Sequence, residues 1–307
     1  MVGAVRVDFA RLSGRSGVVS VRRAEPCPPG AEPMPSTSLP SPATSTATPV
    51  RPLPVGAQDV LDVPLALIDY ERTLDWVDAA IASGARSYVC VAAVHTVMAC
   101  GEDPELRAAV LGSDFTVPDG QPLVWAMNLL GHDLPGRVYG PTLMERACER
   151  AARTGTSFYL YGGRDTDALV RLAGNLRARF PGLRLAGGYA PPFRELSDEE
   201  EHAVVADIND SGADVVWVGI GVPKQEKWMA RMRERLDAPV LIGVGAAFDF
   251  HAGLVPQAPE AMQRRGSCAR RNSHSRPRRL WRRYLRYNPR FVVGFAAQYA
   301  RHLARKR

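Results

Sequence analysis

The sequence predicts an α/β fold: a mostly parallel sheet with helices on both faces, plus C-terminal basic amphipathic helices. Three observations predict it. From Asp59 onward, short runs rich in β-branched and aromatic residues alternate with amphipathic helical stretches at βα spacing. The junctions after several of those runs are glycine-rich or polar, as expected where a parallel strand hands over to a helix. Finally, residues 264–307 carry 15 Lys and Arg and no Asp or Glu, interleaved with bulky apolar residues at helical period.

The elements follow in order. Residues 24–54 hold ten of the 25 prolines among Ser, Thr and Ala. That composition cannot bury enough apolar surface to offset ordering entropy, so 1–55 is expected to be a disordered extension or an overextended gene start. Its first residues lack a basic segment leading into an apolar stretch and a small-residue cleavage site, so no secretory signal is expected. A catalytic domain is expected over 56–263 and a basic, membrane-associating appendage over 264–307. Strands are predicted at 64–68, 88–92, 115–117, 157–161, 183–187, 215–219 and 240–244. Helices are predicted at 73–82, 104–111, 122–130, 143–153, 167–180, 198–211 and 225–236, with two more at 278–286 and 289–302. Ser197-Asp-Glu-Glu is a capping box, and Pro104, Pro122 and Pro223 stand where a first-turn proline is tolerated.

Composition excludes several classes. The chain has 307 residues, 46% hydrophobic and 23% charged, and no apolar run reaches the about 18 residues of a membrane span. Five cysteines without metal-like spacing argue against a disulfide framework or a zinc site and for a reducing cytosol. The net charge of +7 conceals a division: 56–263 holds 18 basic and 29 acidic residues, whereas the tail alone is +15. Such a tail invites an anionic partner: phospholipid, a diphosphate or nucleic acid.

Four junctions line up where ligands gather in open parallel sheets: PDGQP (118–122), YGGRD (161–165), GIGVPKQE (219–226) and GVGAAFDFHAG (243–253). Together they point to a nucleotide or sugar-nucleotide crevice. A nucleotide-dependent oxidoreductase is the alternative, disfavoured because no GxGxxG follows the first strand with an acidic residue about 20 positions on. A nucleic-acid-binding role for the tail is the other; no recognised reading module accompanies the charge, so no specific nucleic acid is expected.

The segments PDGQPLVWA, RVYGPTLM, FYLYGG, GADVVWVGIGVPKQEKWM, VGAAFDFHAG and RRLWRRYLRYNPRF, in this order, resemble the WecG/TagA/CpsF family of glycosyltransferases. The resemblance runs from about Asp59 to the C-terminus. It implies a modified Rossmann-like fold and an inverting, metal-independent transfer of a sugar, often of N-acetylmannosamine type. The donor would be a UDP-sugar and the acceptor a polyprenyl-diphosphate-linked sugar, for cell-surface, cell-wall or exopolysaccharide assembly at the inner face of the cell membrane. No cofactor is implied, and the oligomeric state is not legible.

Inverting transfer needs a base to take the acceptor's hydroxyl proton, and a carboxylate serves at neutral pH. Asp119 occupies the family's base position; its other reading is a cap of the following helix. No paired aspartates close a strand, so no metal site is expected and leaving-group charge falls to backbone N–H groups and cations. Donor-site candidates are Gly120, Gly162, Gly163, Gly219, Gly221, Gly245, Pro223, Lys224, Gln225 and Glu226. Gly243 belongs to the same glycine set, and the Lys224–Gln225 pair also reads as a solvated helix start. Phe248 and Asp249 either touch the donor or hold the crevice wall. Arg137 is a candidate for a phosphate contact or an ordinary ion pair. His95 and His251 read as structural or as acid and base.

For the lipid diphosphate, the resemblance points to the appended region, where Arg278, Arg279, Arg282, Arg283 and Arg286 are the natural carriers. Their helix, and the Phe291, Val292, Phe295 and Tyr299 of the next, read either as lying in a membrane interface or as packed on the body. Residues 266–276, GSCARRNSHSR, depart from the family's apolar helix and read as a compensated pair of frameshifts, which resequencing tests. Val91-Ala92-Ala93 and Thr142 stand where many relatives carry Thr-x-Asn and Asp, so sugar and acceptor identity stay open.

Overall fold

The computed structural model describes residues 55–256 and 277–306 together with 5–7 and 21–23; for 5–7, 21–23 and 277–284 it describes the backbone alone. In chain order the strands are β1 (Val5–Val7), β2 (Val21–Arg23), β3 (Ala57–Val60), β4 (Val63–Ala66), β5 (Ser87–Ala92), β6 (Phe115–Pro118), β7 (Ser157–Gly162), β8 (Arg184–Tyr189), β9 (Val215–Gly219) and β10 (Val240–Gly243). The helices are α1 (Tyr70–Ser83), α2 (Val94–Cys100), α3 (Pro104–Leu111), α4 (Gln121–Leu129), α5 (Gly140–Thr154), α6 (Thr166–Arg179), α7 (Asp198–Asp210), α8 (Lys224–Met232), α9 (Ala247–His251) and α10 (Pro277–Arg305). A 3₁₀ turn, Arg233–Arg235, extends α8.

The sheet runs β2-β1-β8-β7-β9-β10-β5-β6, and the six strands from β8 to β6 are parallel. Strands β5, β7 and β10 are buried along their whole length and β9 up to Gly219, as sheets covered on both faces require. Alternation sorts its side chains: Val89, Val91, Val215 and Trp217 join α1, α5, α6 and α9 on one face. Tyr88, Cys90, Val216 and Val218 join α2, α3, α4, α7, α8 and α10 on the other. Helix starts are set locally: Asp69, Asp103, Asp165 and Ser197 each accept a first-turn backbone N–H, the last in a full capping box.

Three expectations need correction. The predicted strand at 64–68 is β4, which pairs antiparallel with β3 in a separate hairpin rather than in the main sheet. Leu61 and Asp62 join the two, both at positive φ (50° and 61°), and a two-residue link of that kind closes only an antiparallel pair. The extension expected to be unstructured contributes β1 and β2, which add antiparallel to the free edge of β8. The rest of 1–54 lies outside the described residues, as does the frameshift proposal for 266–276.

The third correction concerns the tail. The two expected helices form one, α10, with Pro289 in its interior. Docking holds it: Phe291 and Phe295 are buried in the core shared with α2, and Gln298 bridges the β3–β4 hairpin. Gln298 Nε2 donates to the Asp59 carbonyl at 2.7 Å, and its Oε1 accepts the Leu61 N–H at 2.9 Å. Of the two readings left open for this stretch, Phe291 and Phe295 take the one packed on the body, while Val292 and Val293 point outward at 64% and 71% exposure.

Candidate active site

The carboxyl ends of β5, β6, β7, β9 and β10 lie side by side, with Ala92 opposite Pro118, Gly162 opposite Gly219 and Gly243 opposite Val218. α6 carries the chain from β7 outward to β8, whereas α8 carries it from β9 the other way to β10. The crevice at this reversal of direction is where open α/β sheets bind ligands.

Glycines make that crevice possible. A Cβ on Gly162, at φ 141°, would lie 2.6 Å from the Gly219 carbonyl carbon, and one on Gly219 would lie 2.5 Å from the Phe248 ring. Phe248, 2% exposed, thus seals the floor beneath Gly219 as a wall residue. Gly163 N–H donates to the Gly219 carbonyl at 3.3 Å, tying the β7 and β9 loops together. Gly221, at φ 81°, has open space where a side chain would be, and Gly245 sits across from it.

Asp249 takes the wall role as well. Arg164, not singled out in the sequence, reaches across from the β7 loop and donates Nε to Oδ1 at 2.9 Å and Nη2 to Oδ2 at 3.1 Å. The two-pronged pair clamps the β7 and β10 loops at the crevice mouth. Pro223 and Lys224 are exposed at the start of α8. Gln225 and Glu226 turn inward, 2% and 0% exposed, so they have no free face for a donor in this arrangement. Gln225 Oε1 accepts the Gly221 N–H at 3.2 Å while its Nε2 donates to Glu226 at 2.9 Å. The pair braces the β9 loop from beneath, and burial pushes the Glu226 carboxyl up to about 7.

A second cluster surrounds Asp119 at the end of β6. Gly120, not Asp119, is the N-cap of α4, and no side chain caps that helix, so the capping role is not realised. The Asp119 carboxylate instead accepts the N–H of Gly140 at the first turn of α5. Its Oδ1 is sealed from solvent with no hydrogen-bond partner. Burial pushes the acid up to about 6, against the opposing pull of the Arg137 charge and the Gly140 N–H. Arg137 Nη1 donates to the Asp119 carbonyl at 3.3 Å, and its guanidinium lies 4.1 Å from the Tyr139 ring centroid. Gly120 packs beneath the start of α2, where a Cβ would come 3.4 Å from Val94 N.

The two clusters adjoin. A Cβ on Gly140 would lie 3.3 Å from the Val244 carbonyl oxygen, and Phe250 meets the Tyr139 ring at 6.4 Å. His251 Nε2 donates to the Pro141 carbonyl at 2.8 Å, and burial lowers its pKa, so it is a neutral structural tether. His95 lies half-buried on α2. Arg286 donates to Glu102 at 2.9 Å, beside Arg290 on the same carboxylate. The side chains of Arg278, Arg279, Arg282 and Arg283 lie outside the described residues. Among the described residues no group of three or more His, Cys, Asp or Glu is arranged to hold a metal ion.

Comparison with known proteins matches this architecture. The chain is 29% identical over 161 residues to N-acetylglucosaminyldiphosphoundecaprenol N-acetyl-beta-D-mannosaminyltransferase of Bacillus spizizenii. That alignment covers 52% of this chain and 59% of the relative, so the chain matches little more than half the relative's length. The model of the glycosyl transferase WecG/TagA/CpsF family matches residues 58–305, which contain the whole crevice, the Asp119 cluster and α10. The chain belongs to the WecG/TagA/CpsF family of glycosyl transferases.

Proposed function

We propose that the protein is an inverting, metal-independent glycosyltransferase acting in cell-surface polymer assembly. It moves a hexose, N-acetylmannosamine-like or other, from a UDP-sugar to a polyprenyl-diphosphate-linked sugar. The observation that carries the reading is Asp119: a buried carboxyl with one unpartnered oxygen, pushed up to about 6, beside a glycine-built crevice at the sheet's reversal point. Such a group is ionised at neutral pH yet retains basicity, which suits proton abstraction. Asp119 takes the hydroxyl proton as the acceptor oxygen bonds to the anomeric carbon. The bond from that carbon to the diphosphate oxygen breaks, and its electron pair leaves with UDP. Gly219, Gly221 and Gly245 let the diphosphate approach the loop backbone closely, and Lys224 and Arg137 offset the leaving charge.

The relative's acceptor, by its name, is a diphosphoundecaprenol-linked N-acetylglucosamine, which supports a lipid-linked acceptor here. No helix among the described residues is long and apolar enough to cross a membrane. In this reading the protein works at the cytoplasmic membrane face and touches it through α10. Its test is incubation with UDP-N-acetylmannosamine, other UDP-hexoses and a short-chain polyprenyl-diphosphate-linked N-acetylglucosamine, with and without EDTA. Acceptor-dependent UDP release that survives EDTA is expected; release that occurs without acceptor, or stops with EDTA, contradicts it.

A further inference from the structure

The turn that feeds α5 is held by hydrogen bonds at several successive residues. Val138 N–H donates to the Pro118 carbonyl at 2.9 Å, Arg137 to the Asp119 carbonyl, and the Pro141 carbonyl accepts from His251. The next two donors are consecutive backbone N–H groups. That of Gly140 goes to the Asp119 carboxylate, and that of Tyr139 goes to the Tyr70 hydroxyl at 2.9 Å. Tyr70 opens α1, a different element from either strand or helix of the Asp119 cluster. Its ring is fixed by the Arg146 guanidinium 4.5 Å from the centroid, and Arg146 is in turn held by Glu71 at 2.9 Å. Its hydroxyl also shares a hydrogen bond with Thr142.

The geometry points to Tyr70 as a positioning residue for Asp119: by capturing the Tyr139 N–H and Thr142 it fixes the turn, and so the aim of the Gly140 N–H that orients the carboxylate. The inference deepens the proposed base role and rests on it. A peptide plane is rigid, so the N–H of residue 140 is directed by the Tyr139–Gly140 plane, and Tyr70 anchors the plane before it. The charged and titratable groups that act on Asp119 are Arg137, from the segment before α5, and Tyr70, from α1. From α9, His251 bonds the same turn but is neutral.

The test is the titration of the Asp119 carboxyl followed by carbon NMR in the substrate-free protein, wild type against Tyr70→Phe. Losing the hydroxyl loosens the Gly140 N–H, which favours the ionised acid, so the titration is expected to move to higher pH; an unmoved titration overturns the inference. In UDP-release kinetics the same variant is expected to lose about ten-fold in kcat, with KM for donor and acceptor within about two-fold. The acid limb should move in the same direction. A wild-type kcat with an unmoved limb also overturns it.

Should Tyr70→Phe fail to fold, Tyr139→Pro deletes the donor at a position whose φ of −76° already suits proline. Its carboxyl titration is expected above that of Tyr139→Ala, which keeps the N–H; equal titrations overturn the inference. Failure of the base role is separate: Asp119→Asn with wild-type rate removes the base assignment, whereas an inactive Asp119→Asn beside an unaffected Tyr70→Phe removes only Tyr70.

Discussion

Asp119 sits in a position that costs the fold stability. Its ordinary pKa of 3.8 is raised to about 6 by burial, so above pH about 4 the unfolded chain gives up this proton more readily than the folded one. Stability from this site is complete below pH 3.8 and declines as pH rises to about 6, by up to about 3 kcal/mol given about 1.4 kcal/mol per pKa unit. Asp119→Asn removes the titration. Denaturant unfolding of the two proteins between pH 4 and 8 is therefore expected to show the variant gaining relative to wild type up to about pH 6, then a constant difference. A difference independent of pH contradicts a raised carboxyl. The sequence made Asp119 visible because its neighbours Pro118 and Gly120 mark a strand end. It left open whether the side chain capped a helix, because that depends on where Gly140 lands from 21 positions away. Arg164 and Tyr70 were illegible for the same reason: their partners, Asp249 and Tyr139, are distant in sequence and joined only by the sheet.

Among the elements, the parallel strands and main helices were legible because period and capping agree with tertiary burial. Ser197 through Glu200 illustrates this, forming its capping box as read. Short α2 and α9 escaped notice, as seven and five residues give little periodicity. The β3–β4 hairpin escaped because Leu61, with no turn preference, is held at positive φ by tertiary contacts from α10. α10 itself misled, since a proline at 289 reads as a break whereas packing carries the helix through it. Phe295 is the anchor to remove: it is 9% exposed and stacks with Phe291 and Tyr299. Phe295→Ala is expected to cost about 3 kcal/mol of docking, seen as faster amide exchange throughout 290–304 while β9 and β10 stay protected. Unchanged exchange in α10 contradicts docking through this face.

At the scale of the molecule, the separation of charge gains a geometric meaning. An acidic body carries the crevice, and α10 clips to it by its aromatic side. That leaves Val292, Val293, Ala296, Ala297, Ala300 and Leu303 exposed, bordered by Arg286, Arg290, Arg301 and Arg305. An apolar strip with a cationic margin suits an anionic bilayer interface, where each cation contributes on the order of 1 kcal/mol. Sedimentation with liposomes containing anionic lipid is expected to pull the protein down at about 150 mM salt. Retention should be lost with Val292→Asp and Val293→Asp together, while Phe158 and Trp217 in the core keep their fluorescence and near-UV signals. Equal sedimentation with neutral liposomes contradicts an electrostatic contribution.

All of these features converge on one carboxylate beside one crevice. The direct test is acceptor-dependent UDP release by purified Asp119→Asn, checked for wild-type folding, against the wild type on UDP-N-acetylmannosamine and the short-chain lipid-linked N-acetylglucosamine. The account predicts a kcat lowered by about 10²-fold or more with donor binding retained; a variant that releases UDP at the wild-type rate contradicts it.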